Sequence, residues 1–220
     1  MLKSYVELIN TIATYHPAMI EKLHHLCAIN SGTTNLEGLA LMAQALKYSY
    51  KPLADTIEFK KLPPVPVCTM QGTTELQHYG DALLIRKRPE LKRRILLSGH
   101  MDTVYPPTNP FQNLTYMNAN QVNGPGVADM KGGLIVMLYA LMAFEQTDSA
   151  SQLGWDVFIN SDEEIGSLAS AQLLNELAPK YSVALVYEPA MTPTGTLAKN
   201  RRGSGKFTLI AQGKAAHVGR

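Results

Sequence analysis

The sequence predicts an α/β domain: a mixed, largely parallel sheet flanked by helices. Two observations carry this. Apolar runs of strand length alternate with segments of helical periodicity through most of the 220 residues, the pattern of layered α/β folds. The His, Asp and Glu residues also gather just past the ends of those runs, where open α/β sheets place their sites.

The elements follow in order. Over 4–28, Tyr5, Leu8, Ile9, Ile12, Ile20, Leu23 and Leu26 recur at helical spacing, and Pro17 predicts a break into two pieces. Thr34 and Glu37 make a capping-box start for a helix over 35–48, with Leu36, Leu39, Leu41, Met42 and Leu46 as its apolar positions. The proline-rich stretch 52–67 leads into a strand at Val65 and Val67. Residues 82–85 and 94–97 read as two strands of a hairpin. Its turn at Pro89 carries Arg86, Lys87, Arg88, Lys92, Arg93 and Arg94, a charge run read as a solvated turn. Residues 101–127, rich in Asn, Pro, Gly and Thr, form a long irregular loop of the functional or disordered kind. An apolar helix over 132–144, a strand at 155–160, a helix over 167–177 and a strand at 182–187 come next. Strand-like runs at 196–198 and 205–211 close the chain.

Composition excludes several classes. Hydrophobic residues are 45% and charged residues 17%, the balance of a packed chain rather than a disordered one. A net charge of +2 gives no field to recruit nucleic acid or a membrane surface, so neither is expected as a partner. No unbroken apolar run reaches the ~18 residues of a bilayer span. Cys27 and Cys68 imply no disulfide framework. The N-terminus has neither the apolar core nor the cleavage site of a signal peptide, so the expected location is cytoplasmic.

Four segments carry chemistry. Past the strand at 94–97 stand His100 and Asp102; two apart on an extended chain, they can face one side, as a metal-binding imidazole and the carboxylate that fixes its tautomer. Such a pair alone is more often a helix cap or a surface pair. The glycine-rich segment 123–133 resembles two phosphate loops and satisfies neither: Lys131 is followed by Gly132 rather than Ser or Thr, and Asp129 stands where a dinucleotide fingerprint has glycine. An aspartate there suits a cation, or a simple helix N-cap. Asp162, Glu163 and Glu164 follow the strand at 155–160. They read either as a solvated acidic turn or as a split pair, one glutamate on metal and its neighbour free to take a proton. Glu188, fixed by Pro189, ends the strand at 182–187. Taken together, His, Asp, Glu-Glu and Glu delivered by four segments suit a zinc site with carboxylate donors.

LLSGHMDTVYP, NGPGVADMKGGL, NSDEEIGS and VYEPA stand in the order and approximate spacing of the M20 metallopeptidases, and resemble their glutamate-carboxypeptidase-like and N-acyl amino acid amidohydrolase members. The resemblance implies a zinc exopeptidase-like catalytic domain over 1–199 and, over 200–220, the first strands of an α+β lid or dimerisation domain, so that this chain corresponds to the N-terminal portion of a longer relative. It implies two Zn2+ per complete site, with Co2+ or Mn2+ as substitutes. His100, Asp129 and Glu188 would bind one zinc, and Asp129 and Glu164 the other. Asp102 would orient His100, Glu163 would be general base and then acid, and the Asp129–Met130 peptide would be cis. His217 would contact substrate, and the full-length form would be a homodimer through the lid. Glutamate at 188 resembles the carboxypeptidase and deacylase branches. The implied activity is hydrolysis of an amide bond in a peptide or N-acyl amino acid with a free carboxylate. Two other expectations stand beside it: a non-catalytic metal-binding fragment, and an aminopeptidase or dipeptidase. A serine hydrolase is disfavoured, since Gly203-Ser204-Gly205 is not a nucleophile elbow. His16, His24, His25 and His78 are read as surface or structural.

Overall fold

The computed structural model describes residues 5–198, 200, 202, 203, 205 and 207–214. They divide into two compact units, one formed by the segment ending at Pro63 together with His78–Pro189, the other by Pro64–Gln77 and the segment beginning at Ala190.

In the larger unit the N-terminal helical region is broken as expected, into α1 (Tyr5–Thr14) and α2 (His16–Cys27). Pro17 lies in the first turn of α2, where its missing N–H costs nothing. The next helix, α3 (Leu36–Tyr50), is capped one residue later than the capping box proposed. Asn35 accepts from Gly38 N at 3.2 Å while its amide nitrogen donates to the Asn30 carbonyl at 3.0 Å. That double role, which a threonine hydroxyl at position 34 does not match, settles the cap.

The strands of this unit are β1 (Thr56–Lys60), β4 (Ala82–Lys87), β5 (Arg94–His100), β6 (Thr115–Asn118), β7 (Gln121–Asn123), β8 (Gly154–Asn160) and β9 (Ala184–Val186), with β2 (Val65–Cys68) and β3 (Thr74–Gln77) in the smaller unit. The main sheet has the order β1-β4-β8-β5-β9. β5 runs parallel to β8 and to β9, and β4 is antiparallel to both β1 and β8. Four of its five strands therefore run one way, and the mixed, largely parallel sheet is borne out.

β4 and β5 do not form the expected hairpin: β8 lies between them. The basic run beside them is a solvated turn only at its tip, where Pro89, Lys92 and Arg93 are exposed. Arg88 holds Glu145 through two bonds of 2.5 and 2.8 Å, Arg86 reaches Glu58 at 3.0 Å, and Arg94 pairs with the buried Asp156. β8 brings Asp156, β1 brings Glu58, and Glu145 comes from the end of the helix over 133–144, so these three arginines are structural.

Every residue of β8 is buried, as befits a central strand covered on both faces. Val157 and Ile159 point into a core shared with α2, α3 and the apolar helix α4 (Gly133–Phe144). Phe158, one residue out of phase, faces Leu177, Leu173 and Leu174 of α5 (Ala171–Leu177) on the other side. The result is helix, sheet and helix in three layers. The segment Val127–Phe144 has 18 residues at a mean hydropathy of 1.6, long and apolar enough to cross a membrane by that measure. The segment is not an unbroken apolar run, since Asp129 and Lys131 interrupt it, but they do not lower the average enough to fail that measure. Half of the segment is buried within the fold, where α4 serves as the core helix.

α5 begins four residues later than expected, because Asp162 captures the N–H groups of Ala169 and Ser170 and holds the preceding residues in a loop. Within 101–127 the loop carries a small hairpin, β6 and β7. In the smaller unit, β2 and β3 pair antiparallel around Gly72, whose φ is +77°. The expected strands at 196–198 and 205–211 are absent among the described residues. Thr196 instead closes a turn on Met191 and Thr192, and strand propensity without a pairing partner does not make a strand.

Candidate metal centre

His100 is the last residue of β5, and it is completely buried. Its Nδ1 lies 3.0 Å from the Asp102 carbonyl and 3.3 Å from Asp102 Oδ1. With Nδ1–H donated there, the Nε2 lone pair faces outward. Around Nε2 stand Asp129 Oδ1 at 2.9 Å, Glu188 Oε1 at 3.7 Å and Glu163 Oε2 at 3.8 Å.

Asp129 lies in a widened turn, Val127–Gly132, entered through left-handed Gly126. Asp129 itself leaves the helical region, at φ −114° and ψ 99°, and its peptide bond to Met130 is cis, as the resemblance implied. Met130 is buried, with its sulfur 3.1 Å from the His100 N–H, so the turn is seated directly on the end of β5. The next turn packs as tightly. A side chain at Gly133 would place its Cβ 2.1 Å from the Tyr187 carbonyl, and only glycine lets α4 start this close to the chain that carries Glu188.

Asp102, also completely buried, is the hub. Its Oδ1 accepts the Glu163 N–H at 3.2 Å, and its Oδ2 accepts the Glu164 N–H at 3.2 Å and the Thr33 hydroxyl at 2.9 Å. One carboxylate thus orients the imidazole and both glutamate peptides. The three consecutive acids after β8 meet different fates. Asp162 is buried and accepts from Ala169 N at 2.7 Å, Ser170 N at 2.9 Å and Asn160 Nδ2 at 3.1 Å. Glu163 and Glu164 turn toward His100. Neither a uniform solvated turn nor a simple pair describes them. Glu188 follows β9, held in place by the Tyr187 N–H on the Ser98 carbonyl at 3.0 Å.

Two sets of donors converge, His100 with Glu163 and Glu188, and His100 with Asp129 and Glu164. Within each set the ligand atoms lie within 4.8 Å of one another. The charges fit a cation. Burial alone would lower the His100 pKa, but Asp102, Glu188 and Glu163 outweigh it and push it up to about 9. Glu164 is pushed up to about 7, first by burial and then by the Asp129 charge. His100 and Glu164 thus favour holding protons in place of a positive charge, and a divalent ion would favour their release. The structure therefore brings together His100, Asp102, Asp129, Glu163, Glu164 and Glu188. His217 lies outside the described residues. Sequence reasoning missed Thr33 and the burial of Lys131, a lysine that is 1% exposed, and grouped Asp162 with the glutamates that follow it. Asp162 left a trace in the sequence, an Asp placed before Gly166 and Ser167 ahead of a helix; Thr33 and Lys131 left none.

Comparison with known proteins agrees with this picture. Residues 96–201 match the description "Peptidase family M20/M25/M40". The chain is 29% identical over 203 residues to carboxypeptidase G2 of Pseudomonas sp., covering 92% of this chain and 46% of that protein. It is 36% identical over 132 residues to succinyl-diaminopimelate desuccinylase 1 of Alteromonas mediterranea, covering 55% of this chain and 34% of that one. Among solved structures, human carnosine dipeptidase 1 superposes with a TM-score of 0.66 at 16% identity, over 83% of this chain and 41% of that chain. The M20 family metallo-carboxypeptidase Sso-CP2 of Sulfolobus solfataricus gives 0.59 at 16% identity, over 80% and 38%. At such identities the superpositions show the fold alone. The chain spans less than half the length of each of these relatives. The resemblance read in the four segments is borne out.

Proposed function

We propose, for a chain whose residues 96–201 carry the pattern of peptidase family M20/M25/M40, that it contributes the metal-binding half of an amide hydrolase acting on a peptide or N-acyl amino acid with a free carboxylate. The observation that carries this is the convergence of one imidazole and four carboxylates from four chain segments. The names of the relatives, a carboxypeptidase and a desuccinylase, support the substrate class. Glutamate rather than aspartate at 188 favours it over an aminopeptidase.

His100, Asp129 and Glu188 would hold one divalent ion and Asp129 and Glu164 a second, zinc by donor type, with cobalt or manganese as substitutes. When bound, the metal supplies Lewis-acid polarisation of the amide carbonyl and acidifies water. Asp102 keeps the proton on Nδ1 of His100, so that Nε2 remains an electron-pair donor. Glu163 is the group placed to move a proton: its N–H is fixed by Asp102, and its side chain is 45% exposed, open to water and substrate. Its carboxylate takes a proton from the attacking water, holds it, and gives it to the amide nitrogen as the C–N bond breaks. In the same reading residues 1–199 form the catalytic domain and 200–220 open the lid. His217 and the homodimer belong to that part of the proposal.

Glu163→Gln tests the assignment. Zinc per chain stays at the wild-type value and hydrolysis of an N-acyl amino acid disappears. Retained hydrolysis, or loss of zinc with the charge, refutes Glu163 as the base.

A further inference from the structure

Two side chains outside the donor set tie the donor loops to one buried segment. Between α2 and α3 the chain runs through residues 29–33, and Ser31, Gly32 and Thr33 are all buried. At one end, the Thr33 hydroxyl donates to Asp102 Oδ2 at 2.9 Å. In the middle, Thr33 N–H donates to the Thr103 carbonyl at 3.1 Å, and Thr103 N–H to the Ser31 carbonyl at 2.9 Å. The segment is thus laddered in parallel onto the chain just past His100. At the other end, Lys131 Nζ donates to the Ile29 carbonyl at 2.9 Å. Lys131 belongs to the turn that carries Asp129, and its stem lies across Gly126. A side chain at Gly126 would bring its Cβ within 2.9–3.0 Å of the Lys131 methylenes. Gly126 at φ +74° therefore serves two purposes, since it turns the chain and leaves the groove through which the lysine reaches Ile29.

A buried ammonium on a neutral carbonyl is a poor way to fill space. A Met or Leu of similar volume would avoid the desolvation cost. What the amine adds is a directional bond of fixed length between the Asp129 turn and the segment already locked to His100 and Asp102. We propose that residues 29–33 act as a brace that sets the distance between the His100 and Asp129 donor loops, with Lys131 and Thr33 as positioning residues at its two ends. Neither touches the metal. They act through Asp129 and through Asp102, and residues that orient ligands in this way typically change metal affinity 10–100-fold when removed. The proposal rests on the metal centre assigned above.

The test is zinc affinity of the metal-stripped 220-residue chain, by competition with a chromophoric chelator, read beside the thermal midpoint of each apo variant. Lys131→Met keeps the volume and removes the donor. Its apo midpoint stays at or above the wild-type value, and its zinc affinity falls about 10-fold. Thr33→Val lowers affinity comparably. The double variant loses clearly less than the product of the two, because both substitutions release the same brace. A folded Lys131→Met with wild-type affinity, or a fully multiplicative double variant, overturns the brace while the metal centre stands. If Lys131→Met does not fold, Thr33→Val decides alone: an affinity loss at unchanged midpoint supports the brace, and an unchanged affinity overturns it. Failure of the unaltered chain to bind zinc instead sinks the metal centre itself, and the brace with it.

Discussion

Replacing Asp102 with alanine should cost this chain about 3 kcal/mol, a large share of the roughly 5–15 kcal/mol that holds a typical domain together. The figure comes from the donors left behind. The carboxylate, itself fully buried, accepts the Thr33 hydroxyl within the fold and the N–H groups of Glu163 and Glu164 at its partly exposed margin. Thr33 has a fallback in the Thr103 carbonyl at 3.4 Å, but among the described residues the two peptide N–H groups donate only to Asp102. Each stranded donor costs ~1–3 kcal/mol, and removing a buried charge returns part of that. Urea denaturation of the apo chain measures the outcome as a lower midpoint at unchanged slope. The same variant should bind zinc about 10-fold more weakly, because the imidazole keeps the backbone carbonyl at 3.0 Å but loses the carboxylate at 3.3 Å, and the Glu163 and Glu164 peptides lose their anchor. A midpoint within about 0.5 kcal/mol of wild type, the range of ordinary surface substitutions, would show that Asp102 is not the hub.

The remaining predictions concern packing and charge. Gly133→Ala puts a methyl 2.1 Å from the Tyr187 carbonyl, so either α4 or the chain leading to Glu188 must move. The expected results are a loss of about 1–3 kcal/mol from overpacking and weaker zinc binding, and a crystal structure with Glu188 undisplaced would contradict this. Burial alone would raise the Glu145 carboxyl, but Arg88 and then Trp155, through their hydrogen bonds, hold it below the usual range. A depressed folded pKa gives stability that is present above the unfolded value of about 4.3 and is lost as pH falls through the folded one. Glu145→Gln should therefore flatten the acid limb of the stability curve below about pH 4 and lower stability at neutral pH. A variant with an unchanged acid limb would remove this pair from the account.

What the sequence made legible was local, and what it hid was order and burial. The apolar runs of β5, β8 and β9 and the acids at their ends could be read because strand-end placement is a property of neighbours in the chain. That β8 would enter between β4 and β5 could not, since hairpin closure is the local default and only the parallel pairing of residues 94–100 with 154–160 overrides it. Asn35 displaced Thr34 as the cap because Asn30, five residues earlier, also needed a partner. Glu163 and Glu164 were singled out from their neighbours in the sequence and turn toward His100 in the fold, while Asp162 was taken with them although its bonds run to Ala169 and Ser170. Lys131 gave no sign of burial, since what buries it is the absence of a side chain at Gly126, five positions back.

The place of β8 also sets a timetable for the growing chain. β4 and β5 leave the ribosome long before their common neighbour, and the stretch from His100 to Asn160 takes on the order of several seconds to synthesise at roughly 5–20 residues per second. During that interval Leu83, Ile85 and Leu97 border a slot with nothing in it, and direct closure of β4 on β5 is the nearest competing arrangement. A chain that makes that closure must reopen it before 154–160 can enter. The donors at the ends of β5 and β8 meet only after that entry, so the ion has no site to occupy until the last central strand is in place.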